Sequence, residues 1–446
     1  MARGKKKEEW TLEEKLEKAL VPVEEQPYEV PENWCWVRLD HVSEIVMGQS
    51  PSGTDVTDDA NYIPLIGGAS DMGELYPTAS RYTKVSTKLS KKDDIIVCIR
   101  ATLGNPIYSD GEYCLGRGVA GIRTICCKKE YLRYFFKAFE QYLYDNATGT
   151  TFAQVTGKIL SKMPVPLPPL QEQQRIIEQI ESLFAKLDEA KEKVQFVQNS
   201  SDDNFVSVVH KALAGNLTQE WREQNGISKS TWKRDKLGNL GCLERGRSKH
   251  RPRNDSRLFG GSYPFIQTGD VAESDVFIEK HKRTLSEFGL AQSRMFPKGT
   301  LCITIAANIG DVAILSYDCC FPDSVVGFTP NEDVESKYIY YVMSELQKEI
   351  EANAPATAQK NINLKILNEI DIIIPSVMEQ RQIIEIIDDM YNKKKQIERK
   401  AEQVADAIDM MKKSILAKAF RGELGTNNLE EESFVEQLKQ ILGGVE

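Results

Sequence analysis

The sequence predicts an α+β protein. It should hold two tandemly repeated mixed α/β globular domains and two long helices that form an antiparallel coiled coil with pseudo-two-fold symmetry. Three observations carry this expectation. First, the chain repeats itself: Glu172-Gln173 falls on Glu379-Gln380, Ile176-Ile177-Glu178 on Ile383-Ile384-Glu385, Lys211-Ala212 on Lys418-Ala419, and Gly215 on Gly422, always at an offset of 207. Second, apolar residues within each repeated segment recur in alternating steps of four and three, the signature of a coiled-coil seam. Third, runs such as "DIIVCIR", "AGIRTICC", "TLCITIA" and "DVAILSY" read as strands between turns rich in Gly, Asp and Pro.

The N-terminal domain is assigned to 1–170. Thr11 and Glu14 have capping-box spacing for a short helix through Leu20. Strands follow, then a helical stretch from Tyr131 to Tyr144. Pro164, Pro166, Pro168 and Pro169 read as a stiff connector that cannot carry a helix backward from Leu170. The first long helix is assigned to 171–213, with its seam at Ile176, Ile180, Leu183, Leu187, Ala190, Val194 and Val197, and Gly215 as its C-terminal cap. The second domain is assigned to 214–375 and the second long helix to 376–420. That helix has its seam at Ile383, Ile387, Met390, Ile397, Ala401, Val404, Ile408, Met411 and Ile415, with Lys394 in the one missing position. A tail, 421–446, carries a last amphipathic segment, Phe434 to Leu442. About 40 residues of helix span roughly 60 Å, too long for a helix to bury its stripe alone. The second helix leads away from the second domain, so packing on the first requires an antiparallel course. Ser201 and Asn204 in the first seam match Ile408 and Met411 in the second, and this mismatch is expected to help fix register.

The repeat extends upstream with small slippage. "KILSKMPVPLP" pairs with "KILNEIDIIIP", "YLRYFFKAF" with "YIYYVMSEL", and "IIVCIRATLGN" with "LCITIAANIGD".

With 446 residues, the chain is long enough for two or three cores, and no apolar run approaches a bilayer-spanning length. Nine scattered cysteines, two pairs of them adjacent, point to reduced thiols and a cytoplasmic location. A net charge of −9 argues against a uniformly basic nucleic-acid binder. Charge is uneven, however: Lys229 to Asp270 holds ten Lys/Arg against four Asp/Glu, which is local enough for phosphates to feel.

Catalytic signatures fail one by one. "GQSPSGTD" has the glycine spacing of a phosphate loop, but Thr54 stands where its lysine belongs. "GRGVAG" fits a dinucleotide fingerprint, but β-branched residues follow it where a helix should start. "NPIY" lacks a methyl-donor motif ahead of it, and "DEAK" sits on a coiled-coil face. His41, His210, His250 and His281 have no ligand spacing, so neither a catalytic group nor a metal site is nominated.

What remains points to DNA. In "ERGRSKHRPRN", Arg245, Arg247, Lys249, Arg251 and Arg253 alternate with small, polar and proline residues, with Arg257 just beyond. Such a loop can follow a phosphate backbone, and an arginine fork can read guanine. Its counterpart, "VMGQSPSGTD", offers Gln49 and Ser50, and the basic stretch from Arg81 to Arg100 offers Arg81 and Lys84. A matched loop pair ahead of the long helices offers Thr148, Thr150 and Thr151 in the first copy and Lys360 and Asn361 in the second. The alternative reading is a solvated basic loop for the first of these segments and a simple chain turn for the matched loop pair.

The stretches "ATGTTFAQVTGKILSKMPVPLPPLQEQQRIIEQIE", "ALAGNLTQEWR" and "KAFRGELGT", with the duplication, resemble the specificity (S) subunit of type I restriction-modification systems over essentially the whole chain. The resemblance implies two target-recognition domains, each reading half of a bipartite site in double-stranded DNA. It also implies helices that set the spacer and dock two methyltransferase subunits, with nuclease/translocase subunits in the full complex. This chain would then bind no cofactor, S-adenosylmethionine belonging to the methyltransferase partners, and it would direct adenine methylation or restriction without membrane contact. A self-contained methyltransferase and a structural coiled-coil scaffold remain as alternatives.

Overall fold

The computed structural model describes residues 10–149, 152–306, 309–352 and 362–443. The chain divides into two compact units, Met1–Lys193 with Gln403–Glu446, and Val194–Glu402. Each long helix, Leu170–Leu213 and Val377–Phe420, is shared between the units, 170–193 and 403–420 lying in the first and 194–213 and 377–402 in the second. This differs from the division into heads and separate helices expected above. Each half-helix stripe is apolar enough to join the core of the head it abuts.

In the first unit, strands Ser43–Met47, Val119–Thr124, Ile95–Arg100 and Thr102–Tyr108 form an antiparallel sheet in that order. A second sheet runs Val56–Thr57, Arg81–Thr83, Ile63–Ile66, Cys114–Leu115, its last pair parallel. The expected helical stretch is two helices, Lys129–Ala138 and Glu140–Asp145. Tyr131, Phe135, Ile176, Ile180, Leu416 and Phe420 share one core with Phe434 and Leu438 of the final helix, Phe434–Gly443. At the N-terminus the Thr11–Glu14 capping box is formed, starting helix Leu12–Ala19.

The second unit repeats the plan. Strands Gly241–Arg245, Val325–Pro330, Leu301–Thr304 and Val312–Leu315 correspond to the first sheet, with Phe277–Ile278 added at the edge. Arg283–Leu285, Phe259–Phe265, Cys319–Cys320 and Met295–Phe296 make the second sheet.

The proline stretch departs from its expected role as a connector. Pro164–Leu167 is a buried strand, paired antiparallel with Cys35–Arg38, and Asp371–Ile374 pairs with Lys233–Lys236 in the second unit. Proline cannot donate to a ladder. Pro164 and Pro166 stand two apart, so both missing N–H groups face away from the single partner strand. "NPIY" likewise lies inside strand Thr102–Tyr108 and does not end one.

The repeated Glu-Gln has a concrete task. Gln173 Oε1 accepts from Lys128 N (2.9 Å) and its Nε2 donates to Pro168 O (3.0 Å). Gln380 Oε1 accepts from Glu335 N (2.8 Å) and its Nε2 donates to Pro375 O (3.0 Å). Each glutamine therefore ties the first turn of a long helix to the backbone just ahead of an earlier helix, Lys129–Ala138 or Ser336–Ala352. Glu172 and Glu379 are both fully buried, but their partners differ. Glu172 accepts from Thr426 Oγ1 and Arg175, which also pairs with Glu431. Glu379 accepts from Thr218 Oγ1 (2.7 Å), Arg222 (2.5 Å) and Trp232 Nε1 (2.8 Å). Burial pushes the Glu172 carboxyl above its ordinary range, while Thr426 and Arg175 pull it back.

The long helices pack antiparallel in each unit. Asp188 pairs with Lys412 in the first, and Asp202 with Lys394 in the second. Lys394 fills the gap in the apolar stripe, lying 5.4 Å over the Phe205 ring. Ile176, Ile180, Ile383, Ile387, Ala401 and Ile408 are buried, and Leu183, Leu187, Ala190, Val194, Met390, Ile397 and Ile415 are partly buried. Val197, Val404 and Met411 are exposed, however, and Gln198, Ala405 and Lys412 turn inward instead. The strict heptad expected here gives way because a nearly straight helix drifts about 20° per heptad from a 3.5 repeat. Ser201 is buried with no partner for its Oγ among the described residues, whereas Asn204 is exposed. Gly215 and Gly422 end the helices at φ 76° and 73°, values that favour glycine.

All nine cysteines are free. Burial pushes the Cys35 and Cys319 thiols up to about 12, so both are poor nucleophiles. Among the described residues no His/Cys/Asp/Glu group could hold a metal, and no helix is long and apolar enough to cross a membrane.

Candidate nucleic-acid interface

In each unit a glycine directly follows an edge strand of the first sheet, Ser43–Met47 or Gly241–Arg245. Gly48 N donates to Val119 O (3.0 Å), and Gln49 N to Leu115 O (2.7 Å). Gly246 N donates to Val325 O (2.9 Å), and Arg247 N to Phe321 O (3.0 Å). The acceptors match pairwise between the repeats, so Gly48-Gln49-Ser50 and Gly246-Arg247-Ser248 are the same structural tripeptide. Only glycine fits at its head. A Cβ on Gly48 would lie 2.1 Å from Gly116 O, and one on Gly246 2.3 Å from Pro322 O. The crowding comes from "GRGVAG" and its counterpart "PDSVVG", each leading into a strand, here Val119–Thr124 and Val325–Pro330. This is no dinucleotide loop. A Cβ on Gly118 would lie 2.2 Å from Gly67 O, so backbone packs on backbone and Arg117 is carried at the surface between two glycines. "GQSPSGTD" forms a surface turn ending in a 3₁₀ segment, Gly53–Asp55.

In the first unit a groove of about 400 Å³ is lined by Ser50, Gly67, Arg100, Arg117 and Phe152, among others. Ser50 Oγ accepts from Arg117 N and Nε, both at 3.2 Å, which aims the guanidinium. Gln49 is exposed, its backbone carbonyl accepting from Thr87. Arg81 lies against Gly67 and pairs with Asp71 at 3.4 Å. Lys84 sits apart, 5.9 Å over the Tyr62 ring. Thr148 exchanges backbone bonds with Gln154 (2.8 and 2.9 Å), closing the loop that brings Phe152 to the groove. Thr150, Thr151, Lys360 and Asn361 lie outside the described residues.

The basic segment of the second unit is partly self-neutralised. Arg253 pairs with Asp323 (2.9 Å to both oxygens), and Arg257 with Asp255 (2.7 Å). The Arg257 guanidinium, with its backbone N–H and His250, holds the Asp255 carboxyl well below the usual range. Arg245 donates to Asp323 O, and Arg251 to Ser248 O (2.7 Å) and His250 O (2.9 Å). Arg247 and Lys249 are exposed, and their charged groups have no partner among the described residues. Arg247, Arg253 and Arg283 border a cleft of about 130 Å³.

Sequence reading missed Arg100, Arg117 and Arg283. Arg283 is the structural twin of Arg81: Leu65 faces Arg81 and Phe265 faces Arg283, each beside a proline pairing, Pro64–Tyr82 and Pro264–Thr284. A backbone-binding acid follows each strand: Asp71 accepts from Gly67 N (2.6 Å) and Asp270 from Gln267 N (2.8 Å), but Asp71 pairs with Arg81 whereas Asp270 pairs with Lys282. The spacing here is 202, not 207, because loop lengths differ, and this hid the match.

A family model described as the type I restriction modification DNA specificity domain matches the chain twice, over residues 31–195 and 229–405. The chain belongs to this family. Each specificity domain so defined begins just before the first strand of a unit and ends partway along a long helix, close to the boundaries of the compact units. Among curated relatives, the type I restriction enzyme EcoBI specificity subunit of Escherichia coli is 23% identical over 423 residues, 89% of this chain and 87% of that protein. The MjaIX specificity subunit of Methanocaldococcus jannaschii is 34% identical over 152 residues, spanning 31% of this chain and 34% of that protein. Among solved structures, a chain from work on complex assembly and conformational transition of the type I R-M system superposes with TM-score 0.69 at 20% identity, covering 89% of this chain and all of that one. The HsdS subunit from Thermoanaerobacter tengcongensis superposes at 0.54 with 21% identity, covering 90% of this chain and all of that one. Both show a common fold for the specificity domains and their helices.

Proposed function

We propose that this chain is the non-catalytic DNA-recognition subunit of a type I restriction-modification complex, each globular domain reading one half of a bipartite site. The long helices set the spacer and dock two methyltransferase subunits, which bring S-adenosylmethionine, and nuclease/translocase subunits join in the full complex. One observation carries the reading: the same glycine-headed tripeptide hangs from both sheets but presents Gln49 in one domain and Arg247 in the other. Glutamine suits adenine and arginine suits guanine in the major groove, so one framework fits two different half-sites. Exposed Phe196, Val206 and Met410 on the long helices support docking of partner helices.

Mapping methylated adenines in a host carrying this chain with its methyltransferase partner tests the proposal. A bipartite motif with a fixed spacer is expected. A continuous motif, or methyl transfer by the purified chain alone, overturns it. For the assembled complex, Arg247→Ala should weaken binding of its own duplex by about tenfold and relax preference at one base pair of the second half-site. Unchanged preference there removes Arg247 from base reading.

A further inference from the structure

Two domains that read different sequences need unlike residues at base-reading positions and like charges where each touches phosphate, because the backbone is the same under every sequence. Arg81 and Arg283 satisfy the second condition directly. The turn position occupied by Arg117 does not, because the repeat places Asp323 there: Leu115 and Val119 match Phe321 and Val325, so residue 117 matches residue 323. At a phosphate-contacting position an unpaired acid would repel the backbone that an arginine attracts, but Asp323 is not unpaired. Arg253 reaches back from the basic segment, and its Nη2 donates to both Asp323 oxygens at 2.9 Å, the side chain remaining more than half exposed. The Asp323 backbone is itself held, its carbonyl accepting from Arg245. In the first domain the corresponding guanidinium is aimed by Ser50.

We infer that Arg253, tethered by Asp323, supplies the second domain with the DNA-phosphate contact that Arg117 supplies in the first, Asp323 acting as a positioning residue. This rests on the DNA-reading function proposed above. The tether leaves one edge of the guanidinium for a phosphate, and the pair presents to DNA the same outward cation that Arg117 presents without a tether.

The experiment uses the chain assembled with its methyltransferase partners and a duplex carrying the methylated motif found in the host, with binding followed against salt. If the native complex shows no preference for that duplex, the DNA-reading function itself fails. If it does, Arg253→Ala should lower affinity about fivefold to tenfold and reduce the slope of log K against log salt by about one, with discrimination between bases of the second half-site unchanged. Asp323→Asn should weaken binding as well, because an untethered arginine is less well placed. An acid that merely repelled DNA would give tighter binding when neutralised, and that result overturns the positioning role. Arg253→Ala combined with Asp323→Arg rebuilds the first domain's arrangement and should recover the lost slope. A native slope in Arg253→Ala, altered base discrimination, or a double variant no better than Arg253→Ala overturns the inference. A native melting temperature and retained reading of the first half-site show that each variant is folded.

Discussion

Gly246→Ala is expected to abolish reading of one half-site while leaving the other domain's framework intact. The added methyl would stand 2.3 Å from Pro322 O and 2.5 Å from Phe321 O, and neither backbone carbonyl can turn aside as a side-chain tip can. Strand Gly241–Arg245 must separate from the 321–322 turn, and Arg247 loses the bond to Phe321 O that aims it. Overpacking of this kind costs about 1–3 kcal/mol in stability. Displacing a reading residue adds about 1–3 kcal/mol per base pair misread, so binding of the native duplex should fall at least tenfold. Gly48→Ala, at 2.1 Å from Gly116 O, should do the same to the other half-site. Gly53→Ala, whose Cβ meets nothing within 4 Å, is the control and should bind like the native protein. Native binding by Gly246→Ala would show that the tripeptide does not position a reading residue.

Glu379→Ala should be among the most destabilising single changes in the second unit. Glu379 is fully buried, Arg222 and Thr218 are buried with it, and the Trp232 indole donates to the same carboxylate. Removing the acid strands a guanidinium away from water, at about 3–5 kcal/mol. The repeat supplies its own control. Glu172→Ala should cost less, about 1–2 kcal/mol, because Arg175 is partly exposed and keeps Glu431, leaving the Thr426 hydroxyl as the group without a partner. Urea unfolding followed by tryptophan fluorescence reads both, and equal losses would show that the two buried acids do equivalent work.

How much was legible depended on where the chemistry was local. The 207-residue repeat, the long helices, their glycine ends and the N-terminal capping box follow from patterns within a few turns of chain. The basic segment was visible too, but not its state. A run of five cations looks equally available in sequence, whereas Arg245, Arg251 and Arg253 are engaged by carbonyls and Asp323, and Arg247 and Lys249 have no side-chain partner among the described residues. The seam was legible in outline only. Apolar Val197, Val404 and Met411 fit a 3.5 repeat, but helices winding close to 3.6 residues per turn rotate them outward and bring Gln198, Ala405 and Lys412 in.

By itself the sequence determined that this protein is a duplication, with a repeated domain and two long helices of equal length. Periodicity is a property of neighbouring residues, and repetition at one constant offset shows when two stretches of the chain are laid side by side. Only the tertiary structure decided which residues of the two copies are counterparts. Gly48 with Gly246, Gln49 with Arg247, Arg81 with Arg283 and Arg117 with Asp323 are matched by strand register and backbone hydrogen bonds, at spacings from 198 to 206 that loop-length changes had scrambled. A hydrogen bond between strands dozens of residues apart obeys geometry, not sequence distance, and that geometry turns two unlike loops into one framework with interchangeable reading residues.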